Sequence, residues 1–393
     1  MSAKAGIYLD SNAGTPIKSA VREALAPYLL NEGLSQEDHL YNPSSIHSFG
    51  RRAKRAVAIA RERIAQSLGA DTDSEQIIFT SSGSEANQLA IASLLKPRLI
   101  RGEKPHWITS PVEHDSIKQM VTWLEKQGGR VSFIPVDAEG VPQVSALESL
   151  IQDDTALISL IWVNNETGAI TDVSEFSKIA RRRQIPLHID AAQAWGKLPI
   201  HVNTLGAQYV TFSAHKIGAL AGTGFLWTYP NTRVEPAILG KQEKSRRGGT
   251  ENLFGIIAAG AAAETLDPIA WAARVAPLRD RLQSVIAQRI PGTLINGGQA
   301  KRVANTLNIS FEGVEGDGLV MALDLAGYAV SAGSACSSGV LEPSHVLMAM
   351  GRTKTQAMAA IRISFADAVA WSDLEGFVEA LEKTVIRMCK ARR

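Results

Sequence analysis

Residues 185–216 read IPLHIDAAQAWGKLPIHVNTLGAQYVTFSAHK, and this stretch decides the fold. It holds two short apolar runs, 185–190 and 209–213, each with the length of a buried strand and each ending in polar residues. From about residue 75 to 230, similar apolar runs alternate with amphipathic segments. Strands separated by helices are typical of βαβ units and a mainly parallel sheet. We therefore predict an α/β fold whose large domain has a mainly parallel sheet flanked by helices.

The local patterns predict individual elements of this domain. Strands are expected at 76–80, 106–110, 130–136, 156–163, 185–190 and 209–213. Helices are expected at 84–96, in the run that ends at Glu125, and at 144–152, 174–183 and 255–264.

The pattern changes after Asp267-Pro268, which marks a break. A long helix through Gln288 is followed by strand-like 306–311, a helix near 319–324 and strand-like 360–365. Residues 372–375, Ser-Asp-Leu-Glu, fit a capping box for a terminal helix. We predict a large domain at 15–260, and a smaller α+β domain formed by 1–14 and 261–393.

The composition excludes several classes of protein. The chain has 393 residues, is 45% hydrophobic and 20% charged, and has a formal net charge of +2, so the balance of charge does not indicate nucleic-acid binding. Two cysteines, Cys336 and Cys389, are too few for a disulfide-stapled secreted fold. No apolar run has the length of a membrane span, and the first ten residues lack the apolar core of a signal peptide. We predict a cytoplasmic protein without membrane or nucleic-acid partners.

Polar residues cluster directly after predicted strands. Ligands bind beyond the carboxyl ends of the strands in an open parallel sheet, so these clusters meet in one crevice if the five strands are parallel. This convergence is the main argument for an active site, and no single cluster would suffice. The clusters are 81–85, Glu113-His114, 164–166, 190–193 and 213–216.

Three of these clusters suggest a chemistry. The turn 80–87 joins Gly83 and several hydroxyls to a helix start, which suits a phosphate, although an ordinary capped turn has the same pattern. Asp190 ends a buried strand and needs a partner, which a protonated pyridine nitrogen, a helix N-terminus or a salt bridge could supply. Lys216 could link covalently to a carbonyl compound, although a lone lysine is more often a surface residue. Because the turn, the aspartate and the lysine follow one another in this order, the sequence favours phosphate binding by the turn, a pyridine nitrogen as the partner of Asp190 and a covalent link through Lys216.

Two residues of the C-terminal half extend the candidate site. Cys336 lies in the small-residue run 331–339 and suits a mobile nucleophile, although a lone cysteine is often an inert core residue. Arg362 stands between apolar neighbours and could clamp a carboxylate or form a buried ion pair. Cys389 is expected to have no catalytic role, and we predict no metal site.

With these residues in place, the chain resembles the NifS/IscS-type cysteine desulfurases, within the class V, fold-type I pyridoxal phosphate enzymes. The match runs in order through nearly the whole chain. Its motifs are Tyr8-Leu-Asp, Asn42-Pro-Ser-Ser-Ile-His47, 79–87, Glu113-His114, 163–168, His188-Ile-Asp-Ala-Ala-Gln-Ala-Trp-Gly-Lys197, Ser213-Ala-His-Lys216, Arg247-Gly-Gly-Thr-Glu-Asn252, 333–338 and 361–364.

The resemblance implies a role for each matched residue. Lys216 would hold pyridoxal 5'-phosphate covalently, Asp190 would pair with its ring nitrogen, and Gln193 would contact its ring hydroxyl. Arg362, with Asn42, would bind the substrate carboxylate. The remaining roles would be stacking on the ring by His114, a position beside the ring for Asn165, and phosphate binding by Gly83, Ser84, Ser213, His215 and, from the other subunit of a homodimer, Thr250.

The resemblance also implies the reaction. L-cysteine would be converted to L-alanine while Cys336 takes the sulfur as a persulfide, with His114 assisting a proton transfer. The longer loop around Cys336 implies delivery to an acceptor protein, such as an iron–sulfur scaffold. A selenocysteine lyase, a class V aminotransferase and a noncatalytic scaffold remain alternatives. Departures from the family pattern are Gly14, the turn 218–222 and Lys241.

Overall fold

The computed structural model describes residues 6–29, 39–332 and 342–391. The strands are β1 (Ile7–Tyr8), β2 (Ile77–Thr80), β3 (His106–Thr109), β4 (Arg130–Phe133), β5 (Thr155–Ile161), β6 (Leu187–Asp190), β7 (Tyr209–Ser213), β8 (Gly224–Thr228), β9 (Thr293–Asn296), β10 (Thr306–Phe311), β11 (Tyr328–Ala329), β12 (Ser331–Ala332) and β13 (Ala360–Ser364).

The helices surround these strands. They are α1 (Ser19–Leu29), α2 (Ser48–Ser67), α3 (Gly83–Ile100), α4 (Asp115–Lys126), α5 (Val144–Leu150), α6 (Val173–Arg182), α7 (Val202–Leu205), α8 (Gln242–Ser245), α9 (Leu253–Glu264), α10 (Pro268–Arg289), α11 (Gly316–Leu325), α12 (His345–Ala349), α13 (Lys354–Met358) and α14 (Trp371–Ala391), with short 3₁₀ helices at Ser74–Gln76 and Ala214–Ile217.

A seven-stranded sheet forms the centre of the larger part, in the order β2-β8-β7-β6-β5-β3-β4. Strands β3 to β7 pair in parallel. Strand β8 is antiparallel to both of its neighbours, β2 and β7, so those two strands run in the same direction. The predicted α/β class with a mainly parallel sheet is confirmed. The five strands that precede the polar clusters all point the same way, as the predicted crevice requires.

The central strands are apolar throughout because helices cover the sheet on both faces. Every residue of β5, β6 and β7 is buried, as expected for a parallel sheet inside an α/β layer. One core cluster contains this sheet together with residues of α2 and α9, the helix pair with the most extensive packing.

A second core lies around the antiparallel sheet β12-β13-β10-β9 and includes α10, α11 and α14. Leu9, from the N-terminal segment, is fully buried in this second cluster, and β1 pairs with β11. By contrast, Ala261, Ala262 and Ala263 still belong to the first cluster. The division into 15–260 and 1–14 with 261–393 remains a prediction.

Two local expectations from the sequence need correction. The sequence patterns predict no strand at β8 (Gly224–Thr228), which follows the turn 218–222. The terminal helix begins at Trp371, so Ser372 lies inside its first turn instead of capping it. The side chain of Asp373 accepts a hydrogen bond from the Ala370 N–H at 3.0 Å and serves that end of the helix.

None of the described helices alone has both the length and the apolar character of a membrane span. Helices α9 and α10, taken as one pair bent by 78°, have the length and composition of such a span.

Candidate active site

Asp190 lies at the carboxyl end of β6, in parallel register with Ile161 of β5 and Thr211 of β7. Its side chain is buried and accepts hydrogen bonds from Asn87 Nδ2 at 2.7 Å and from the Ala192 N–H at 3.0 Å. Among the described residues, no cationic side chain pairs with it. A buried carboxylate with only neutral protein partners is suited to receive a cation from a ligand.

His114 is connected to Asp190 through two intervening side chains. Asn87 also donates to Ser116 Oγ at 3.0 Å, and this hydroxyl lies 2.8 Å from His114 Nδ1. His114 caps α4, with Nδ1 accepting from the Ser116 N–H. The chain Asp190–Asn87–Ser116–His114 therefore joins the end of β6 to the start of α4 through the side chain of Asn87 on α3.

Glu113, next to His114, is a second buried carboxyl group in the crevice. Its Oε1 accepts from Ser110 Oγ at 2.6 Å and from the Ile161 N–H at 3.0 Å, while Oε2 has no partner among the described residues. Burial raises the pKa of Glu113 to about 8, and the charge of Asp190 acts in the same direction. We therefore expect Glu113 to be mostly uncharged at pH 7. Its contacts to Ser110 and Ile161 orient the turn before His114.

The turn after β2 forms a notch against the end of β7. Helix α3 begins at Gly83 and is capped by Ser82, whose side chain accepts from the Glu85 N–H. A Cβ on Gly83 would lie 3.1 Å from Ser213 Cβ, so glycine permits this close approach. The first N–H groups of an 18-residue helix and the Ser213 hydroxyl therefore face the same region, which suits an anion.

His215 completes one side of this notch. Its Nδ1 lies 3.1 Å from Ser213 Oγ. Burial and the neighbouring charge of Lys216 lower the pKa of His215 to about 4, so the ring is neutral at physiological pH. Ser84, in the first turn of α3, is exposed.

Lys216 follows β7 on the 3₁₀ helix Ala214–Ile217, which ends at Gly218 with φ +82°. Its Nζ donates to the carbonyl oxygens of Asn12 at 2.6 Å and Ala13 at 3.0 Å. Gln193 Nε2 donates to the same Asn12 oxygen at 2.9 Å. The amine of Lys216 and the amide of Gln193 therefore converge on the N-terminal segment, between the ends of β6 and β7.

Arg362 lies on β13 and is 5% exposed. It pairs with Asp10 at 2.6 Å, donates to the Asn165 carbonyl at 3.1 Å, and keeps an Nε without a partner among the described residues. The buried ion pair left open by the sequence is thus present. The unpartnered Nε leaves Arg362 able to bind a further anion.

Three predicted residues are not brought to this centre by contacts of the described chain. Asn42 lies on an exposed turn, where its Oδ1 accepts from the Ser44 N–H. Thr250 is exposed on the turn before α9. Cys336 lies outside the described residues, whereas Cys389 is a free cysteine on α14 whose Sγ lies 3.5 Å from the Glu312 carbonyl.

The positions of the polar groups in the crevice fit pyridoxal phosphate. Asp190 lacks a cationic partner, the Gly83–Ser213 notch would be narrowed by a Cβ, and Lys216 stands at the neighbouring strand end. A phosphate, a ring cation and a reactive aldehyde would each meet a matching group. Within the described ranges, no group of three or more His, Cys, Asp and Glu side chains could hold a metal ion.

Several residues of the site have no role predicted from the sequence, among them Asp10, Asn12, Asn87, Ser116 and Lys197. The Nζ of Lys197 donates to Asn12 Oδ1 at 2.8 Å. Asn87 and Lys197 lie inside quoted motifs, and their position after a strand could have identified them. Asn12 carried no such signal, because its contacts come from segments far along the chain.

Comparisons with known proteins agree with this geometry. The family model described as aminotransferase class-V matches residues 7–377. A protein named cysteine desulfurase IscS, from Dictyoglomus turgidum, is 39% identical over 388 residues, which cover 98% of this chain and 96% of that protein.

Solved structures show the same similarity. One described as a NifS-like protein superposes with a TM-score of 0.87 at 30% identity, covering 97% of this chain and all of the other. A second, described as SspA in complex with cysteine, has a TM-score of 0.80 at 31% identity, covering 92% of this chain and 99% of the other.

Proposed function

We propose that the chain, which belongs to the class-V aminotransferase family, is a pyridoxal phosphate-dependent cysteine desulfurase. It converts L-cysteine to L-alanine and takes the sulfur onto Cys336. The observation that carries this proposal is the match of a curated cysteine desulfurase over nearly the full length of both chains. The family resemblance inferred from the sequence is thereby confirmed.

Lys216 and Asp190 would hold the reactive part of the cofactor. When bound, pyridoxal phosphate supplies a cationic ring that withdraws electron density from the α-carbon of the substrate. Asp190 would keep the ring nitrogen protonated, because a buried carboxylate is stabilised by an adjacent cation. Lys216 would anchor the group covalently through its amine.

The rest of the crevice would orient the cofactor. Gly83, Ser84, Ser213 and His215 would bind the phosphate, and Thr250 would reach it from a second copy of the chain. Support comes from the notch between the start of α3 and the end of β7. The ring would be contacted by His114, Asn165 and Gln193.

Arg362 would receive the α-carboxylate of the substrate. Its free Nε and the carbonyl contact to Asn165 support this role, since the guanidinium is held in place and retains a donor. Asp10 would orient the guanidinium through the 2.6 Å contact to Nη2. Asn42 would assist from its exposed turn.

The chain's own groups would move the proton and the sulfur. The amine of Lys216, displaced from its covalent link by the substrate amine, would take the Cα proton, which requires that it be unprotonated at that moment. The Cys336 thiolate would then form a bond to the substrate sulfur as the Cβ–S bond breaks. The electron pair of that bond stays with the carbon, which gains a proton, with His114 as a nearby donor.

The alternatives receive no support from the comparisons. The relatives matched by sequence are named cysteine desulfurase, and one solved structure is described as a NifS-like protein. A selenocysteine lyase would use the same residues, and an aminotransferase would not need Cys336.

We propose a homodimer that passes sulfur to an acceptor protein, such as an iron–sulfur scaffold, in the cytoplasm.

The test is incubation of the cofactor-loaded chain with L-cysteine, followed by alanine quantification and mass analysis of the peptide that holds Cys336. We expect alanine without any keto-acid acceptor and one extra sulfur atom on Cys336. Lys216→Ala should lose the visible absorption of covalently bound cofactor. Cys336→Ser should keep the absorption and lose alanine formation.

Cys389→Ser is the matched control, because the second cysteine lies on α14 and should leave both readouts unchanged. Normal alanine formation by Cys336→Ser would refute the role of this thiol.

A further inference from the structure

Asn12 is a buried hydrogen-bonding hub between the two cores. It is 2% exposed and lies after β1. Its carbonyl oxygen accepts from Lys216 Nζ at 2.6 Å and Gln193 Nε2 at 2.9 Å, so the cofactor-binding lysine and a ring-contacting amide share one acceptor. Any shift of this carbonyl would move both groups.

The other atoms of Asn12 hold this carbonyl in place. The backbone N–H donates to Ser364 Oγ at 2.9 Å, and Nδ2 donates to Thr306 Oγ1 at 2.9 Å and the Asn165 carbonyl at 3.2 Å. Oδ1 accepts from Lys197 Nζ at 2.8 Å. All four polar groups of the residue are therefore engaged.

Lys197 is the charged residue whose side chain donates a hydrogen bond to the Asn12 side chain. It is 6% exposed, and its Nζ donates to Asn12 Oδ1 and Gln193 Oε1. No carboxylate among the described residues pairs with it. A lysine buried without a counter-charge is expensive to keep protonated, so a structural role alone would be served better by a neutral residue.

Burial lowers the pKa of Lys197 well below its ordinary value, and the charges of Lys216 and Arg362 act in the same direction. Repulsion between two amines is reciprocal, so the protonation state of one affects the other. Lys197 and Lys216 also line one cavity of about 60 Å³, next to Ser11, whose buried Oγ has no partner in the described chain.

We propose that Asn12 and Lys197 are positioning residues for Lys216. Lys197 fixes the Asn12 side chain and the Gln193 amide, and the Asn12 carbonyl then holds Lys216 Nζ at the end of β7. A proton on either amine disfavours one on the other. The Lys197 amine, which has no carboxylate partner among the described residues, therefore favours the unprotonated form of Lys216 that proton abstraction needs. This inference depends on the proposed function for the role of Lys216.

The experiment uses the full chain loaded with pyridoxal phosphate and the variants Lys197→Met, Lys197→Gln and Asn12→Ala. Lys126→Met, on the exposed end of α4, is the matched control. The readouts are the pH midpoint of the visible absorption change, kcat and KM for L-cysteine, and thermal unfolding.

Lys197→Met should raise the pH midpoint by about half a unit, because the second amine that can hold a proton beside Lys216 is removed. It should lower kcat by about 10- to 100-fold, with a smaller change in KM, because the amine of Lys216 is displaced. Lys197→Gln keeps a donor but no charge, so it should shift the midpoint similarly and retain more of kcat. Lys126→Met should change neither quantity.

The two residues should also act as one unit, in which Lys197 positions Asn12 and Asn12 positions Lys216; we call this unit the relay. The double variant Asn12→Ala/Lys197→Met should have a kcat no lower than that of the less active single variant. If the two residues acted independently, their fold-losses in kcat would multiply. An unchanged midpoint in both Lys197 variants, or multiplied losses in the double variant, would overturn the relay.

The two proposals can fail separately. A midpoint shift in a chain that makes no alanine would reject the desulfurase and keep the relay. Alanine formation with an unchanged midpoint in the Lys197 variants would reject only the relay.

Discussion

At the scale of single residues, the crevice holds carboxyl groups in different environments. Asp190 receives an amide and a backbone N–H. Glu113 keeps one oxygen without a partner in the described chain, and burial raises its pKa to about 8. A raised pKa means that the folded protein favours the protonated form of the carboxyl group more strongly than the unfolded chain does.

Replacement of Glu113 by glutamine tests this environment. The folded-state pKa lies above the ordinary value of 4.5. The stabilising contribution of Glu113 is therefore complete below pH 4.5 and is lost as the pH rises through 8. Glu113→Gln keeps the Oε1 acceptor but cannot ionise. As the pH rises from 4.5 to 8, the free energy of unfolding of the variant should therefore fall less steeply than that of the wild type, and the two slopes should differ by up to ~1.4 kcal/mol per pH unit.

Denaturant unfolding at several pH values between 4.5 and 8 measures this difference. Glu125→Gln, an exposed change on α4, should follow the wild-type curve. Wild-type and Glu113→Gln curves that remain parallel over the window would show that Glu113 stays ionised in the folded protein.

At the scale of elements, helices α2 and α9 approach so closely at Gly260 that no side chain fits on α9 at this point. A Cβ on Gly260 of α9 would lie 2.6 Å from Ala60 Cα and 2.7 Å from Ala60 Cβ of α2. Both residues are buried. Glycine therefore sets the distance between the two helices, and through α9 their position against the sheet.

We expect Gly260→Ala to lower the free energy of unfolding by about 1–3 kcal/mol, since overpacked cores force backbone shifts. Gly318→Ala in α11 is a matched helical control. There the added Cβ meets only the end of Met388, at 3.2 Å, which can move. The control should be neutral or gain about 0.5–1 kcal/mol from lower backbone entropy. Equal stability of Gly260→Ala and wild type in denaturant unfolding would contradict this packing.

The elements themselves were largely predictable from local pattern. Strands β5, β6 and β7 are buried on both faces, so their sequences are continuous apolar runs. Strand β8 was missed because its direction and neighbours depend on pairing with β2 and β7, which are distant in sequence. The start of α14 was misplaced because Asp373, not Ser372, satisfies the free N–H.

At the scale of the whole molecule, the proposed homodimer makes a prediction about Thr250. This residue is exposed on its own subunit and contacts nothing in the described notch of Gly83 and Ser213. If it serves the phosphate of a second copy, each site is complete only in the dimer.

Mixed dimers of Lys216→Ala and Thr250→Val subunits test this arrangement. The subunit that keeps Lys216 would receive an intact Thr250 from its partner, so one site per mixed dimer should have wild-type cofactor affinity. Thr250→Val homodimers should bind the cofactor more weakly, because a hydrogen-bond donor to the phosphate is lost. Cofactor titration by absorbance measures both. Weak binding by the mixed dimer would place Thr250 within its own subunit's site.

The α/β class, the family, and the order of the Gly83 turn, Asp190 and Lys216 could be read from the amino-acid sequence alone, because strand burial and motif composition are local properties. Only the tertiary structure decided that Asp10 pairs with Arg362, that Asn87 connects Asp190 to His114, and that Asn12 joins Lys216 to Lys197. These contacts link residues 29 to 352 positions apart. Their partners are set by the way the N-terminal segment and the two cores pack together, which no local pattern contains.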